Sequence, residues 1–572
     1  MTEQTRTDTD DAGFRIASRR LRAPGWRRLR AAAGGRPAGP AGSLAAAAAG
    51  LCLGLLALGP GILPGYLLSY DMVFVPRPAI NAAMLGTAGT LPRAVPSDAV
   101  VAALARVVPA DAVQKLILLA IFVLACAGAA RLLAAERLPA RLAAGVLYAW
   151  NPFVAERLIL GQWATLLGYA GLPWVVAALL RPARGLAGRF RLACALVPAA
   201  VGGFAAMLIT GLTAVPVAAS RAAAGTGPGT GEARRGRQRL ASVATVLALL
   251  AVASLPWLIP ALTRHVATST AAVAAFAARA DTPFGTLGSL VMLGGGWNAQ
   301  ATPAGYGGAA STAWLVLALG TLVGFLTLGR RRWPGLAAAA AAGLAIALLG
   351  AVGPGQDLLR TLIGWWPGFA VLRDGQQYVA PLALAEALGL GLVVARLTAG
   401  AASDGRRAAA AALAAVPVLL LPGLAWGAAG RLQPVSYPAD WVAARQLINA
   451  DPRAGKALLL PWMAYRRYDW NHDEAVLDPW PRLLARDVVW NDGVDVGGTA
   501  IAPESPAAIA LSGLVGSGRQ LTGPLRADGF RYVIIDAGFG PGPGGGDPFR
   551  ARLPGCRLVL SGPGLQVYRV PG

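Results

Sequence analysis

The chain is poor in charge, in histidine, in cysteine and in lysine, and each scarcity excludes something. Only 14% of its 572 residues are charged, where soluble globular chains carry about 25%. With 55% hydrophobic residues and a mean hydropathy of +0.53, this excludes an ordinary soluble domain and reads as a polytopic membrane protein. The two histidines, His265 and His472, lie far apart, so a multi-histidine metal site would require them to meet. The four cysteines are Cys52, Cys126, Cys194 and Cys556; no pair has metal or redox spacing, and none staples the C-terminal part. We expect no metal ligands and no cofactor. Lys115 and Lys456 are the only lysines among 51 basic residues. With abundant Ala, Gly and Pro, that bias suggests a GC-rich genome of the actinomycete kind.

The net charge is +23, yet its distribution argues against nucleic acid. From Arg431 onward, 15 basic residues face 13 acidic ones. The excess lies in the apolar part, clustered at the ends of hydrophobic runs, which is the positive-inside pattern. Residues 1–40 begin acidic (Glu3, Asp8, Asp10, Asp11) and hold nine arginines by Arg36. They lack the short apolar region and cleavage site of a signal peptide, and read as a disordered cytoplasmic leader.

Apolar stretches of about 17–25 residues are candidate spans. They fall near 43–62, 113–133, 142–158, 163–180, 241–262, 311–328, 336–352, 379–398 and 409–429. The stretch 192–219 has basic flanks on both sides and a glycine pair, Gly202–Gly203. It is read as entering and returning, through two short tilted helices or a re-entrant hairpin, rather than as one span. Eleven crossings result, with the N-terminus cytoplasmic and the C-terminus outside. Four loops then face outward, near 61–112, 151–163, 263–310 and 353–378. The expected architecture is a leader at 1–40, a membrane domain at 41–430 and a small extracytoplasmic α/β domain at 431–572. In the last, KALLLPW, FRYVIID, CRLVLSG and LQVYRV read as strands of a mixed sheet. YPADWVAARQLINAD and PESPAAIALSGL read as helices.

Seven carboxylates of the membrane part face outward: Asp71, Asp98, Asp111, Glu156, Asp281, Asp357 and Asp374. Asp71 lies in LSYDMVFVPRP, just past the first span. It is either a base in a partly desolvated site or a loop aspartate. Arg77 in the same stretch either holds phosphate or neutralises Asp71. Glu156 and Arg157 follow Asn151–Pro152 on an apolar helical stretch; intramembrane ions are usually paired and face a cavity. They are either a structural pair closing the corner or substrate groups, with Gln162 and Trp163 next to them. Arg373, beside Asp374 and followed by Gln376 and Gln377, either grips a phosphate bidentately or anchors the interface. Trp297, Asn298 and Tyr306 offer stacking groups in a glycine-rich loop. In RRYDWNHDEAVLDPWPR, Trp470, Trp480 and Asp473 are either a carbohydrate surface or core packing, and His472–Asp473 is a weak metal hint. The run GFGPGPGGGD lacks the Lys and following helix of a phosphate loop.

Three stretches, SYDMVFVPRP, LYAWNPFVAERLILGQWATLLGYAGLPW and VLRDGQQYVAPLALA, together with this architecture, resemble the GT-C superfamily of membrane glycosyltransferases. The likeness is to its actinobacterial arabinofuranosyl- and mannosyltransferase members. The resemblance implies a polyprenyl-phosphate-linked sugar donor, an envelope glycan or lipid acceptor, and transfer at the outer membrane face. It implies Asp71 as the base and Arg373 as the group stabilising the leaving phosphate, with Arg77 or Arg157 as alternatives. Many members carry two adjacent acids in the first loop; Asp71 has no acidic neighbour. The competing expectations are a non-catalytic GT-C-like envelope protein that binds glycan or lipid, and a transporter or flippase built on Glu386.

Overall fold

The computed structural model describes residues 40–572 except 89–91, 182–184, 225–231, 264–268, 271, 401–402 and 537–548. Residues 1–39 of the leader, His265 and the glycine run lie outside the described residues. The membrane part is a helical bundle: α1 (Pro40–Leu58), α2 (Ala110–Leu132), α3 (Leu138–Ala149), α4 (Pro152–Ile159), α5 (Trp163–Leu180), α6 (Gly185–Gly202), α7 (Phe204–Ala224), α8 (Glu232–Thr263), α9 (Ala310–Gly324), α10 (Pro334–Leu349), α11 (Gly353–Trp365), α12 (Ala380–Leu397) and α13 (Asp404–Leu420). Among the described residues, 8 helices are long and apolar enough to cross a membrane, or 10 if two bent pairs each count as one span. The pairs are α10 with α11, bent by 91°, and α13 with the segment Pro422–Gly430, bent by 58°.

The expected eleventh span, 142–158, is broken. Pro152 has no N–H to continue a helix and starts a new one instead. Asn151 caps that start: its side-chain oxygen accepts from Val154 N at 3.1 Å. Its amide donates back to the carbonyls of Leu147 (2.9 Å) and Tyr148 (3.0 Å) and to Tyr169 Oη (3.0 Å). One buried side chain thereby satisfies the backbone groups that the break exposes. The result is α3, of 12 residues, and α4, of 8. The stretch 192–219 is two helices, α6 and α7, that meet at Gly203, whose φ is +74°.

The C-terminal part carries a five-stranded sheet in the order Arg557–Ser561, Leu565–Arg569, Phe530–Asp536, Lys456–Leu460 and Val488–Val489. Its strands are β3 (Lys456–Leu460), β6 (Val488–Val489), β9 (Phe530–Asp536), β10 (Arg557–Ser561) and β11 (Leu565–Arg569). β3, β9 and β6 are parallel, whereas β9, β11 and β10 are antiparallel, as a mixed sheet requires. The helices Ala439–Ala450 and Pro506–Gly516 accompany it. Tyr468, Trp470, Trp441 and Trp480 pack together, with ring centroids 4.9 Å apart for Tyr468–Trp470 and 4.6 Å for Trp441–Trp480. Trp480 is buried in the core and cannot belong to a carbohydrate surface, whereas Trp470 is half-buried and Asp473 exposed.

This part does not hang free. β1 (Tyr66–Leu67) pairs with β2 (Pro434–Val435), so the first long loop is tied to the chain just after the last membrane helix.

Candidate active site

The Asp71 turn is gripped from two sides. On one side, Tyr70 N donates to Ala475 O (2.6 Å) and Leu477 N donates to Tyr70 O (2.8 Å), tying it to β5 (Ala475–Leu477). On the other, Asp71 N donates to Leu160 O (3.1 Å), and Ser69 Oγ to Ile159 O (2.7 Å), at the end of α4. The corner at Gly161 makes the close approach possible. Its φ is +72°, and a Cβ there would lie 2.1 Å from Met72 N and 2.2 Å from Ser69 O. Only glycine fits both the backbone angle and the space.

The Asp71 carboxylate is half-buried. Tyr465 Oη donates to Oδ1 at 2.6 Å, and Gln162 Nε2 to Oδ2 at 3.4 Å. Burial raises its pKa above the ordinary carboxylate value; the hydrogen bonds from Tyr465 and Gln162, then the charges of Arg93 and Arg482, oppose that rise. Asp71 is therefore a carboxylate made more basic by its surroundings while remaining hydrogen-bonded.

Gln162 links Asp71 to a second centre. Its side-chain oxygen accepts from Arg157 Nη1. Arg157 is almost fully buried and uses every guanidinium nitrogen. It holds Asp374 bidentately, at 2.9 and 3.0 Å, and donates to Gln376 Oε1 from Nε at 2.9 Å and from Nη2. Glu156 does not pair with its neighbour Arg157. Its Oε2 accepts from Gly296 N (3.0 Å) and Gln376 Nε2 (3.4 Å), while its buried Oε1 has no hydrogen-bond partner among the described residues. Gln376, which follows Asp374 in the sequence, is the hinge between the two neighbours. Asp281, nearby, accepts from Gly295 N at 2.6 Å.

Arg373 and Asp374, adjacent in sequence, separate in space: Asp374 goes to Arg157, and Arg373 to Glu504 at 3.2 Å. Glu504 also pairs with Arg93. Arg93 belongs to the first long loop and its side chain is 55% exposed. It lies within electrostatic reach of Asp71, Tyr465 and Arg373. The sequence reading missed Arg93, Tyr465 and Glu504. No local signal marks them, because each becomes relevant only when the C-terminal part packs on the first loop. Arg77 stays outside the cluster. It is exposed, its backbone carbonyl accepts from Arg445 (2.8 Å), and no ion pair with Asp71 forms. The cations near enough to Asp71 to lower its pKa are Arg93 and Arg482, not Arg77.

Other candidates are structural. Tyr306 is buried and donates to Met292 O at 3.3 Å. Trp297 packs edge-on against Phe276 at 4.8 Å, and Asn298 caps a short helical turn. Among the described residues, no group of three or more His, Cys, Asp or Glu is placed to hold a metal ion.

With this geometry in view, no family model matches the chain and no curated protein matches it. Solved structures do. The arabinofuranosyltransferase AftD from Mycobacteria superposes with a TM-score of 0.58 at 20% identity, over 93% of this chain and 40% of AftD. A second structure, of a mutant of the same protein, gives 0.53 at 18% identity, over 93% and 41%. The chain has a GT-C-like membrane fold. It spans about 40% of AftD's length. In this chain the Asp71 loop packs against both the α4 corner and the C-terminal part.

Proposed function

We propose that the chain is a membrane glycosyltransferase that takes a sugar from a polyprenyl-phosphate donor and passes it to an envelope glycan or lipid. The observation that carries this reading is the placement of Asp71: half-buried, made more basic by its setting, and flanked by Arg93 and, through Glu504, by Arg373. Asp71 takes the proton of the acceptor hydroxyl as that oxygen bonds to the anomeric carbon. The bond from that carbon to the phosphate oxygen breaks, and its electron pair leaves with the polyprenyl phosphate. Arg93 and Arg373 hold the negative charge that develops there. Arg157, saturated by Asp374 and Gln376, positions Gln162, which donates to Asp71. The likeness to AftD, named as an arabinofuranosyltransferase, supports the class of reaction. The reaction sits on the extracytoplasmic side, with residues 431–572 outside and the N-terminus in the cytoplasm.

The test is transfer from a lipid-linked sugar donor by purified full-length protein, wild type against Asp71→Asn. Undiminished transfer by a folded variant would end the assignment of Asp71 as base.

A second reading has an observation of its own. Arg157 and Arg373 are already neutralised by Asp374 and Glu504, which suits a GT-C-like protein that binds glycan or lipid without turnover. Binding of the lipid-linked donor with no transfer under any condition would favour it. The transporter reading rests on Glu386 in α12, buried with Oε1 unpaired among the described residues; substrate flux in proteoliposomes, lost in Glu386→Gln, would support it.

A further inference from the structure

A cavity lies at the opposite end of the helices from Asp71. α2 starts beside the Asp71 loop, where Gln114 exchanges hydrogen bonds with the backbone of Leu67 at 2.9 and 2.7 Å. Its 23 residues then carry it about 34 Å, at 1.5 Å per residue, to Arg131. α5 runs the same way, from Trp163, whose ring lies 5.4 Å from that of Phe74, to Leu180 and the adjoining Arg181. Between the ends of α2 and α5 and the first half of α6 is a cavity of about 350 Å³.

Arg131, Arg181 and Arg191 line it, one from each segment, with Leu124, Trp174 and Cys194 among the other walls. Trp174 is fixed: its indole N–H donates to Leu124 O at 3.0 Å. The ring fits because residue 128 is glycine; a Cβ there would lie 2.7 Å from Trp174 Nε1. Arg131 stands over the ring face, 5.5 Å from its centroid. The three guanidinium groups are near enough for Arg131 to feel the charges of Arg181 and Arg191. Among the described residues no carboxylate pairs with any of them. Arginines scattered at a membrane interface would merely point to water. Here three repelling cations from separate segments converge on one cavity with a rigid aromatic wall, and the described protein supplies no counter-charge. The missing partner is an anion, and the apolar remainder of the lining suits an anion attached to hydrocarbon.

We propose that this cavity binds the phosphate headgroup of an anionic phospholipid from the leaflet opposite Asp71. Guanidinium forks match phosphate oxygens, and the acyl chains continue along the apolar walls into the bilayer. The site is independent of glycosyl transfer at Asp71.

Cys194 supplies a reporter, since it is exposed and lines the cavity, and half-buried Cys556, outside the membrane helices, is an internal control. Full-length protein is placed in nanodiscs of phosphatidylglycerol or of phosphatidylcholine, and maleimide labelling of both cysteines is timed. Phosphatidylglycerol is expected to slow Cys194 about tenfold relative to phosphatidylcholine, given the worth of each arginine near an anionic headgroup, with Cys556 unchanged. The Arg131→Gln/Arg181→Gln/Arg191→Gln variant is expected to abolish the difference, and Arg191→Gln alone, offered in case the triple variant does not fold, to shrink it about threefold. Equal labelling in both discs, or a difference that survives in the folded variants, overturns the site. Equal protection by inorganic phosphate in phosphatidylcholine discs overturns the lipid assignment in favour of a soluble phosphate. Asp71→Asn is expected to leave the lipid preference intact, so failure here and failure of the transferase reading are separable.

Discussion

The Arg157 centre and the Asp71 turn lie side by side, joined by Gln162, and they are finished to different degrees. Arg157 is enclosed, with each guanidinium nitrogen spoken for. Asp71 is only half-enclosed and keeps lone pairs to spare, with a basic side chain, Arg93, beside it that is 55% exposed. A saturated buried ion pair fixes geometry, and losing one partner leaves an uncompensated charge. A carboxylate with a raised pKa and unused acceptor capacity is free to take a proton. The difference divides the residues of one cluster into frame and chemistry, although both sets are charged and both sit at the same end of the bundle.

Mutations can break that division. The largest effect is expected at Asp71→Asn, where transfer should fall by about 10²–10⁴-fold with thermal unfolding unchanged; a loss of stability instead would move Asp71 into the frame. Arg157→Ala should do the reverse, destabilising the fold by about 3–5 kcal/mol, read as a lowered melting temperature in detergent. If Arg157→Ala folds normally and loses only rate, the two centres have been assigned the wrong way round. Gly161→Ala should cost about 1–3 kcal/mol from the positive φ alone, and more because its Cβ also meets the backbone of the Asp71 turn; both stability and transfer should drop.

Tyr465→Phe sharpens the chemical half. The tyrosine O–H stabilises the Asp71 carboxylate and so holds its pKa down. Without that bond the pKa rises further, and Asp71 stays protonated to higher pH. The acid limb of kcat/KM should therefore move upward in pH, with activity recovering on the alkaline side. An unmoved limb would mean that another group is being titrated. The smallest effect is expected at Arg77→Ala, within about 0.5 kcal/mol of wild type in stability and with unchanged transfer.

The sequence carried the membrane architecture because a span is a local property, one apolar run per helix. It failed at 142–158, where the run was long enough but Asn151 and Pro152 imposed a break that hydropathy does not register. Four of the five sheet strands were legible from their own residues, and the sheet was expected to be mixed; the two-residue strand Val488–Val489 is too short to leave a signal. Asp71 was locatable as an acid past the first span. Its hydrogen-bond donor was not, since Tyr465 is 394 residues away. Arg373 and Asp374 are adjacent in sequence, yet the backbone sends them to different partners, Glu504 and Arg157, that adjacency does not reveal. Arg77 drew attention by proximity in sequence, while Arg93, from the same loop, lies near the carboxylate in space.

The pairing of β1 with β2 sets a schedule for biosynthesis. At about 5–20 residues per second, the ribosome makes Asp71 about 20–80 s before Tyr465, the ring that holds it 394 positions later. For most of that interval the first long loop lacks its strand partner at Pro434–Val435, and throughout it lacks the Ala475 carbonyl that anchors Tyr70. The carboxylate is thus among the first polar groups of the site to be synthesised and among the last to be set in place. A truncated or stalled chain would carry the residue without the site.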